Sequence, residues 1–329
     1  MRARDAQNYL MECHEEDLLV ADIGATHARF ACADTVEVFD TADFADTADL
    51  LDAACAKLGM RSPKAACFAV AGPVVDGIGT ITNGALSFSR ETLRSQLAAD
   101  VLVVNDFYAL ARGVPDLENL EQLGGDAGLK TRESGAVRAV VGPGSGLGMS
   151  LLIPRSESGW LVLPSEGGHA DFAPHNHLEQ EVLSILLRTS HNVCWESVVS
   201  GPGLVNLYGA VCELWGTRSE SMTAEEISAR GVNLDDPICH QTLELFFAML
   251  GSVAGNLALT VCARGGVYIG GGIVPHLKDF ALSSSLRRRF EERAELEDYI
   301  RDIPLYLILD EYPGLTGARA CLTDLLKQT

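Results

Sequence analysis

Basic residues are scarce in this sequence. Its 329 residues include 25 Lys and Arg against 45 Asp and Glu, a formal net charge of −20. That balance argues against nucleic acid as a partner, because binding a phosphate backbone needs clustered cations. The acidic residues are spread along the chain rather than gathered in a tail, so they act mainly on solubility. Close cysteine pairs are missing as well. The nine cysteines (13, 32, 55, 67, 194, 212, 239, 262 and 321) are scattered, and no CxxC pattern of a zinc, redox or haem site occurs. Reduced, buried thiols of a cytoplasmic protein are the expectation. Residues 1–16 lack the apolar core of a signal peptide and read as a disordered or loosely docked leader. Only one uncharged run, residues 245–263, is long enough to span a bilayer. Gly251, Ser252, Gly255 and Asn256 interrupt it, so it reads as a buried core helix, and no membrane is expected as a partner. The glycines at 251 and 255 would let a second helix approach closely.

What the chain does have is length for two domains and a sizeable core. It also has apolar strands that end in polar residues. Residues 101–110, VLVVNDFYAL, read as a strand buried on both faces, stopping at Asn105 and Asp106 before a helix over 107–112. Ligands in open α/β sheets bind beyond the carboxyl ends of strands, where this pair stands. A helix cap is the plainer reading of Asp106, since Asp and Asn favour that position.

Two passages share one plan of strand, glycine turn with a hydroxyl, and returning strand. In the first, residues 17–22 (DLLVAD) lead into Gly24-Ala25-Thr26 and a strand over 28–33; in the second, residues 137–141 lead into Gly142-Pro143-Gly144-Ser145-Gly146-Leu147-Gly148 and a strand over 149–153. Together they suggest a duplicated architecture. The amides and hydroxyls of such turns can hold phosphate oxygens. Asp22, at a strand end, can position Mg²⁺ through water. Each turn alone is equally a plain hairpin, and neither is a P-loop, since GxxxxGK[ST] is missing.

Residues 164–172, PSEGGHADF, place Glu166 and His169 around two glycines. Zinc is one thought, but no second ligand pair has usable spacing. A local hydrogen bond is another. A sugar is a third, because a carboxylate can take two vicinal hydroxyls while histidine takes another. Glu196, just before the Ser200-Gly201-Pro202-Gly203 turn, is a further contact of this kind or else a solvated helix-end carboxylate. Gly270-Gly271-Gly272 follows an apolar strand over 267–269 and offers bare backbone against which a flat ring such as adenine can lie; it is otherwise a flexible turn.

These segments, in this order from residue 18 to about 322, closely resemble the bacterial ATP-dependent glucokinases of the hexokinase and actin-like ATPase superfamily. The most specific are LPSEGGHADFAP (163–174), SGPGLVNLY (200–208) and GGVYIGGGIVP (265–275). The resemblance implies an α/β, two-domain hexokinase/actin-like (ribonuclease H-like) fold with an interdomain cleft. A small domain would comprise residues 17–116 and 311–329, and a large α+β domain residues 117–310. It implies a cytoplasmic glycolytic enzyme that transfers a phosphoryl group from ATP, with Mg²⁺, to the 6-hydroxyl of glucose, and it fits a homodimer. Carried over by position, Asn83, Asn105, Asp106, Glu166, His169 and Glu196 would bind the sugar, with Asp106 as general base. Asp22, Gly24, Ala25 and Thr26 would serve the ATP phosphates and Mg²⁺ opposite Gly144, Ser145 and Gly146, and Gly270, Gly271 and Gly272 would flank the adenosine. The dipole of the following helix should keep Asp106 ionised. The chain departs from the family at Ala25, where glycine is usual, at Ser145 for threonine, and at Leu86 for the tryptophan of Thr-Asn-x-x-Trp. Alternatives are a kinase for another hexose or amino sugar, a non-catalytic sugar sensor, and an actin-like ATPase.

Overall fold

The computed structural model describes residues 14–81, 86–123, 135–155, 159–234 and 236–328. Asn83 and most of the leader lie outside the described residues. The chain divides into two compact units, one built from residues up to Glu118 together with Asp310 onward, the other from Asn119–Leu309.

The first unit is organised by a five-stranded sheet. Its strands are β1 (Leu18–Ile23), β2 (His27–Cys32), β3 (Thr35–Asp40), β4 (Ala65–Val70) and β8 (Asp100–Asn105), in the order β3-β2-β1-β4-β8. The pairs β1–β2 and β2–β3 are antiparallel, while β1–β4 and β4–β8 are parallel. Alternate residues sort to opposite faces, as the two-residue period of a strand requires. Leu19, Ala21 and Ile23 of β1 join Phe30, Phe68 and Val103 under the helix Thr47–Lys57, which adds Leu50, Leu51 and Ala54. Val20, Cys67, Ala69 and Val104 turn the other way, onto Leu315, Ala318 and Leu322 of the helix Pro313–Gln328. Covered on both faces, β4 is buried along its whole length. A small antiparallel sheet of β5 (Val74–Val75), β6 (Ile78–Thr80) and β7 (Ser87–Ser89) flanks these strands. Leu86 is buried against the same core, so an apolar side chain is kept where the family pattern has an aromatic one.

The final helix packs backbone to backbone on the helix Asp106–Gly113. A Cβ at Gly317 would lie 2.1 Å from the carbonyl oxygen of Ala109, and one at Gly113 would lie 2.8 Å from Gly317 Cα. Arg112 then grips Asp324 with two hydrogen bonds, Nε at 2.6 Å and Nη2 at 2.9 Å. The helix that begins at Asp106 is therefore fixed by contacts far from that residue in sequence.

The second unit repeats the plan. β10 (Arg138–Pro143), β11 (Leu147–Arg155), β12 (Gly159–Ser165), β13 (Val267–Ile269) and β14 (Leu305–Ile308) run in the order β12-β11-β10-β13-β14, with β9 (Leu120–Gln122) added at the end. Again two antiparallel pairings precede two parallel ones. This is the duplication that the paired hairpins suggested. All but the last two residues of the apolar run over 245–263 fall in the helix Pro237–Val261, the one helix among the described residues long and apolar enough to cross a membrane, and 67% of its most apolar stretch is buried within the fold. The helix Leu286–Glu291 lies against its two glycines: a Cβ at Gly251 would meet Leu286 O at 2.3 Å, and one at Gly255 would meet the Arg293 guanidinium.

Six of the described strands, β3, β5, β6, β7, β9 and β12, were not read from sequence. In β3 the exposure pattern does not alternate cleanly, and β12 is an edge strand with Leu161 and Leu163 exposed.

Candidate functional site

In the first unit the parallel strands end level. The register pairs Ile23 with Val70 and Val70 with Asn105, so Asp22 and Asp106 emerge at the same carboxyl edge of the sheet, on β1 and just past β8. The cap of the following helix belongs to Asn105, whose Oδ1 accepts from Tyr108 N at 3.1 Å. Asp106 is instead the first helical residue, one position past the cap. Asn105 Nδ2 donates to Asp106 Oδ1 at 2.8 Å and to Gly72 O at 3.1 Å. Both amide hydrogens are thereby committed, one of them to aiming the carboxylate; the Asn105 carbonyl keeps a lone pair for a hydroxyl.

The electrostatics differ from the sequence expectation in one respect. Burial raises the Asp106 pKa to about 7, and the neighbouring Asp22 carboxylate adds to the rise, while hydrogen bonds from Phe107 N–H and Asn105 oppose it. The helix dipole does not win. At neutral pH the carboxyl is therefore poised between its two forms, where a general base is most useful. Asp22 is also raised by burial, and Arg29, with Nη1 3.7 Å from its Oδ2, pulls it back down. Gly314, on the first turn of the final helix, touches the Asp22 carboxylate so closely that a Cβ would lie 2.5 Å from its Oδ2. Sequence reasoning missed Gly314; the Pro313-Gly314 helix start was visible, but nothing local tied it to residue 22.

The first turn connects β1 and β2. Gly24 N donates to His27 O at 2.9 Å, and Ala25 O accepts from Thr41 Oγ1. Ala25 does not have positive φ, and its methyl packs on the core, so glycine is not required there. Thr26 is exposed.

In the second unit four predicted segments meet. Gly144 N donates to Gly146 O at 2.8 Å and closes the turn between β10 and β11, leaving Ser145 exposed. Gly270 and Gly271 lie directly on this turn: a Cβ at Gly142 would meet Gly270 C at 2.5 Å, and one at Gly271, which has φ +83°, would meet Pro143 O at 2.3 Å. Gly272 is exposed with open space beside it. The amino end of the helix Gly201–Leu214 docks here too, with Gly201 N donating to Gly144 O at 2.8 Å. Glu196, in a short 3₁₀ turn over Trp195–Ser197, accepts from Leu147 N at 2.8 Å and lies 3.7 Å from His169 Nε2. Glu166 is exposed at the head of the turn Gly167–His169 and caps nothing in it.

These groups suit a polyol and a polyphosphate. The exposed hydroxyl residues Thr26 and Ser145 and the glycine backbone of each turn can hold phosphate oxygens, and Glu166, His169 and Glu196 offer acceptors and a donor to hydroxyls. For a metal, Asp22 and Asp106 supply hard carboxylate oxygens, but no group of three or more His, Cys, Asp or Glu able to hold an ion occurs among the described residues. That set fits Mg²⁺ held mainly by water and nucleotide phosphates rather than by a closed protein cage.

Comparison with known proteins agrees. The family model described as Glucokinase matches residues 19–325. A glucokinase of Aromatoleum aromaticum is 43% identical over 319 residues, covering 94% of this chain and 95% of that protein. One from Chromobacterium violaceum is 41% identical over 315 residues, covering 93% and 89%. Among solved structures, the glucokinase of an Antarctic psychrotroph superposes with a TM-score of 0.81 at 33% identity, over 93% of this chain and 98% of that one. The two repeated sheets are therefore those of the two-domain hexokinase/actin-like fold, and the chain belongs to the glucokinase family.

Proposed function

We propose that this chain transfers the γ-phosphoryl group of ATP to the 6-hydroxyl of glucose, giving glucose 6-phosphate and ADP, with Asp106 as the general base. Family membership at 43% identity supports the reaction, and the observation that carries the assignment of the base is the Asp106 carboxylate itself. It is aimed by Asn105, which takes the cap position in its place, and has a pKa of about 7. In its ionised form it accepts the hydroxyl proton as the oxygen–phosphorus bond forms. The transition state of phosphoryl transfer is loose, so alignment and charge stabilisation do most of the work.

The remaining assignments follow the groups each unit assembles. Asn105 orients Asp106 and offers its carbonyl to the sugar. Glu166, His169 and Glu196 bind the other hydroxyls. The turns around Gly24, Ala25 and Thr26 and around Gly144, Ser145 and Gly146 bind phosphates, and residues 270–272 take the adenosine. Mg²⁺, held through water by Asp22, would neutralise phosphate charge.

The test is ADP release from MgATP with and without glucose. Strong dependence on glucose, with glucose 6-phosphate as product, is the expected result. Equal turnover without sugar, or none with any hexose, would overturn the assignment.

A further inference from the structure

The family resemblance implies that the turn containing Gly146 serves the ATP phosphates, and the surroundings of Gly146 give its glycine a further reason. A Cβ on Gly146 would lie 2.5 Å from Glu196 Oε2 and 3.1 Å from Glu196 Cδ, so any side chain would displace that carboxylate. A Cβ on Gly144, two residues earlier in the same turn, would meet nothing within 4 Å. Glycine at 146 is thus demanded by Glu196, whereas Gly144 is under no such demand.

Glu196 is held through its carboxylate. Its Oε2 accepts the Leu147 amide at 2.8 Å, directly after the turn, and its Oε1 lies 3.7 Å from His169 Nε2 in the neighbouring segment. Its backbone is held as well. Glu196 O accepts from Ser200 Oγ at 2.8 Å, and that hydroxyl accepts from Gly203 N at 2.9 Å, capping the helix Gly201–Leu214. Gly201 N then donates to Gly144 O at 2.8 Å, which returns the path to the turn. The result is a closed loop of hydrogen bonds, all within one unit, linking the turn to the carboxylate. A shift of the turn carries the Leu147 N–H with it and re-aims Glu196.

We propose that Glu196, clamped by Leu147 and Ser200 and given room by Gly146, couples the phosphate-binding turn to the sugar-binding segment. Occupancy of the turn thereby alters glucose affinity. The inference rests on the reading above, in which the turn takes phosphate and Glu196 with His169 takes sugar. Coupling of this kind is reciprocal, and it is typically worth about 5- to 150-fold in affinity.

The experiment is a glucose titration of the full chain, followed by calorimetry, without nucleotide and with a saturating non-hydrolysable ATP analogue. The wild type should bind glucose more tightly with the analogue present. Gly146→Ala should weaken glucose binding about tenfold or more without any nucleotide, the loss expected when a charge-assisted hydrogen bond is broken, and should abolish the effect of the analogue. Gly209→Ala, where a Cβ would meet nothing within 4 Å, should leave both nucleotide-free glucose binding and the effect of the analogue unchanged. If Gly146→Ala binds glucose within about twofold of wild type while its KM for ATP rises, the glycine serves phosphate alone and the coupling is overturned. Ser200→Ala gives a second route, since it loosens the clamp while every residue of the turn at 142–148 stays as it is; a full analogue effect in that variant would also overturn the proposal. A wild type that binds no glucose at all would instead bring down the sugar reading beneath it, so the two failures are distinguishable.

Discussion

Asp106→Asn keeps the shape of the side chain and its hydrogen bond from Asn105 while removing the charge. Two quantities should change in opposite directions. In the unfolded chain the carboxyl titrates near the ordinary 3.8, and in the folded protein at about 7. Between those values the native state keeps a proton that the unfolded state has lost. Stability therefore falls as pH rises through this window, and the full cost is present above pH 7. The gap corresponds to about 4 kcal/mol at 1.36 kcal/mol per unit. Asparagine carries none of it. The variant should be more stable than wild type at pH 8 by up to about 4 kcal/mol, and the difference should shrink by about 1.4 kcal/mol for each unit the pH drops below 7.

Activity should move the other way. Loss of a general base typically costs about 10² to 10⁴ in kcat, while glucose binding persists. The wild-type kcat/KM should fall on the acid side of pH 7 as the base becomes protonated. Urea denaturation at pH 5 to 8, alongside steady-state kinetics and a glucose titration, measures all of this. A stability difference that is flat with pH would refute the burial argument. More than about a tenth of wild-type kcat in the variant would refute the base assignment.

Gly314→Ala should push the Asp22 carboxylate from its seat, since the new methyl would lie 2.5 Å from Oδ2. Steady-state kinetics should give a kcat lowered about tenfold or more with glucose affinity intact, and unchanged kcat would sink the idea. Arg289→Met should destabilise the fold by about 3 kcal/mol in denaturant melts, because it removes the cation that holds the buried Glu179 at 2.6 Å and leaves that charge to the His175 amide and Asn176 Nδ2 alone. The double variant Glu179→Leu/Arg289→Met should recover much of that loss; no recovery would mean that the pair acts through something other than its charge.

How far the sequence reached depends on the range of the interactions involved. A strand end followed by glycine is a local event, so Asp22, the turn at 24–26 and the Asn105-Asp106 pair could be read directly, and β8 with its following helix lies where the apolar run placed it. Even there the cap went to Asn105, because both residue types satisfy the same propensity and only the register decides between them. Through-space terms could not be read. The pKa of Asp106 is raised first by burial and then by Asp22, 84 positions earlier, which parallel pairing through β4 brings to the same edge. The reason for glycine at 146 is a carboxylate at 196, and the partner of Glu179 is 110 residues away. Each of these is a contact that topology creates. A glycine motif in sequence thus establishes that backbone freedom or room is needed, but whether the room is for a phosphate, as open space at Gly144 allows, or for a neighbouring carboxylate, as at Gly146, is decided only where the folded chain brings the second group.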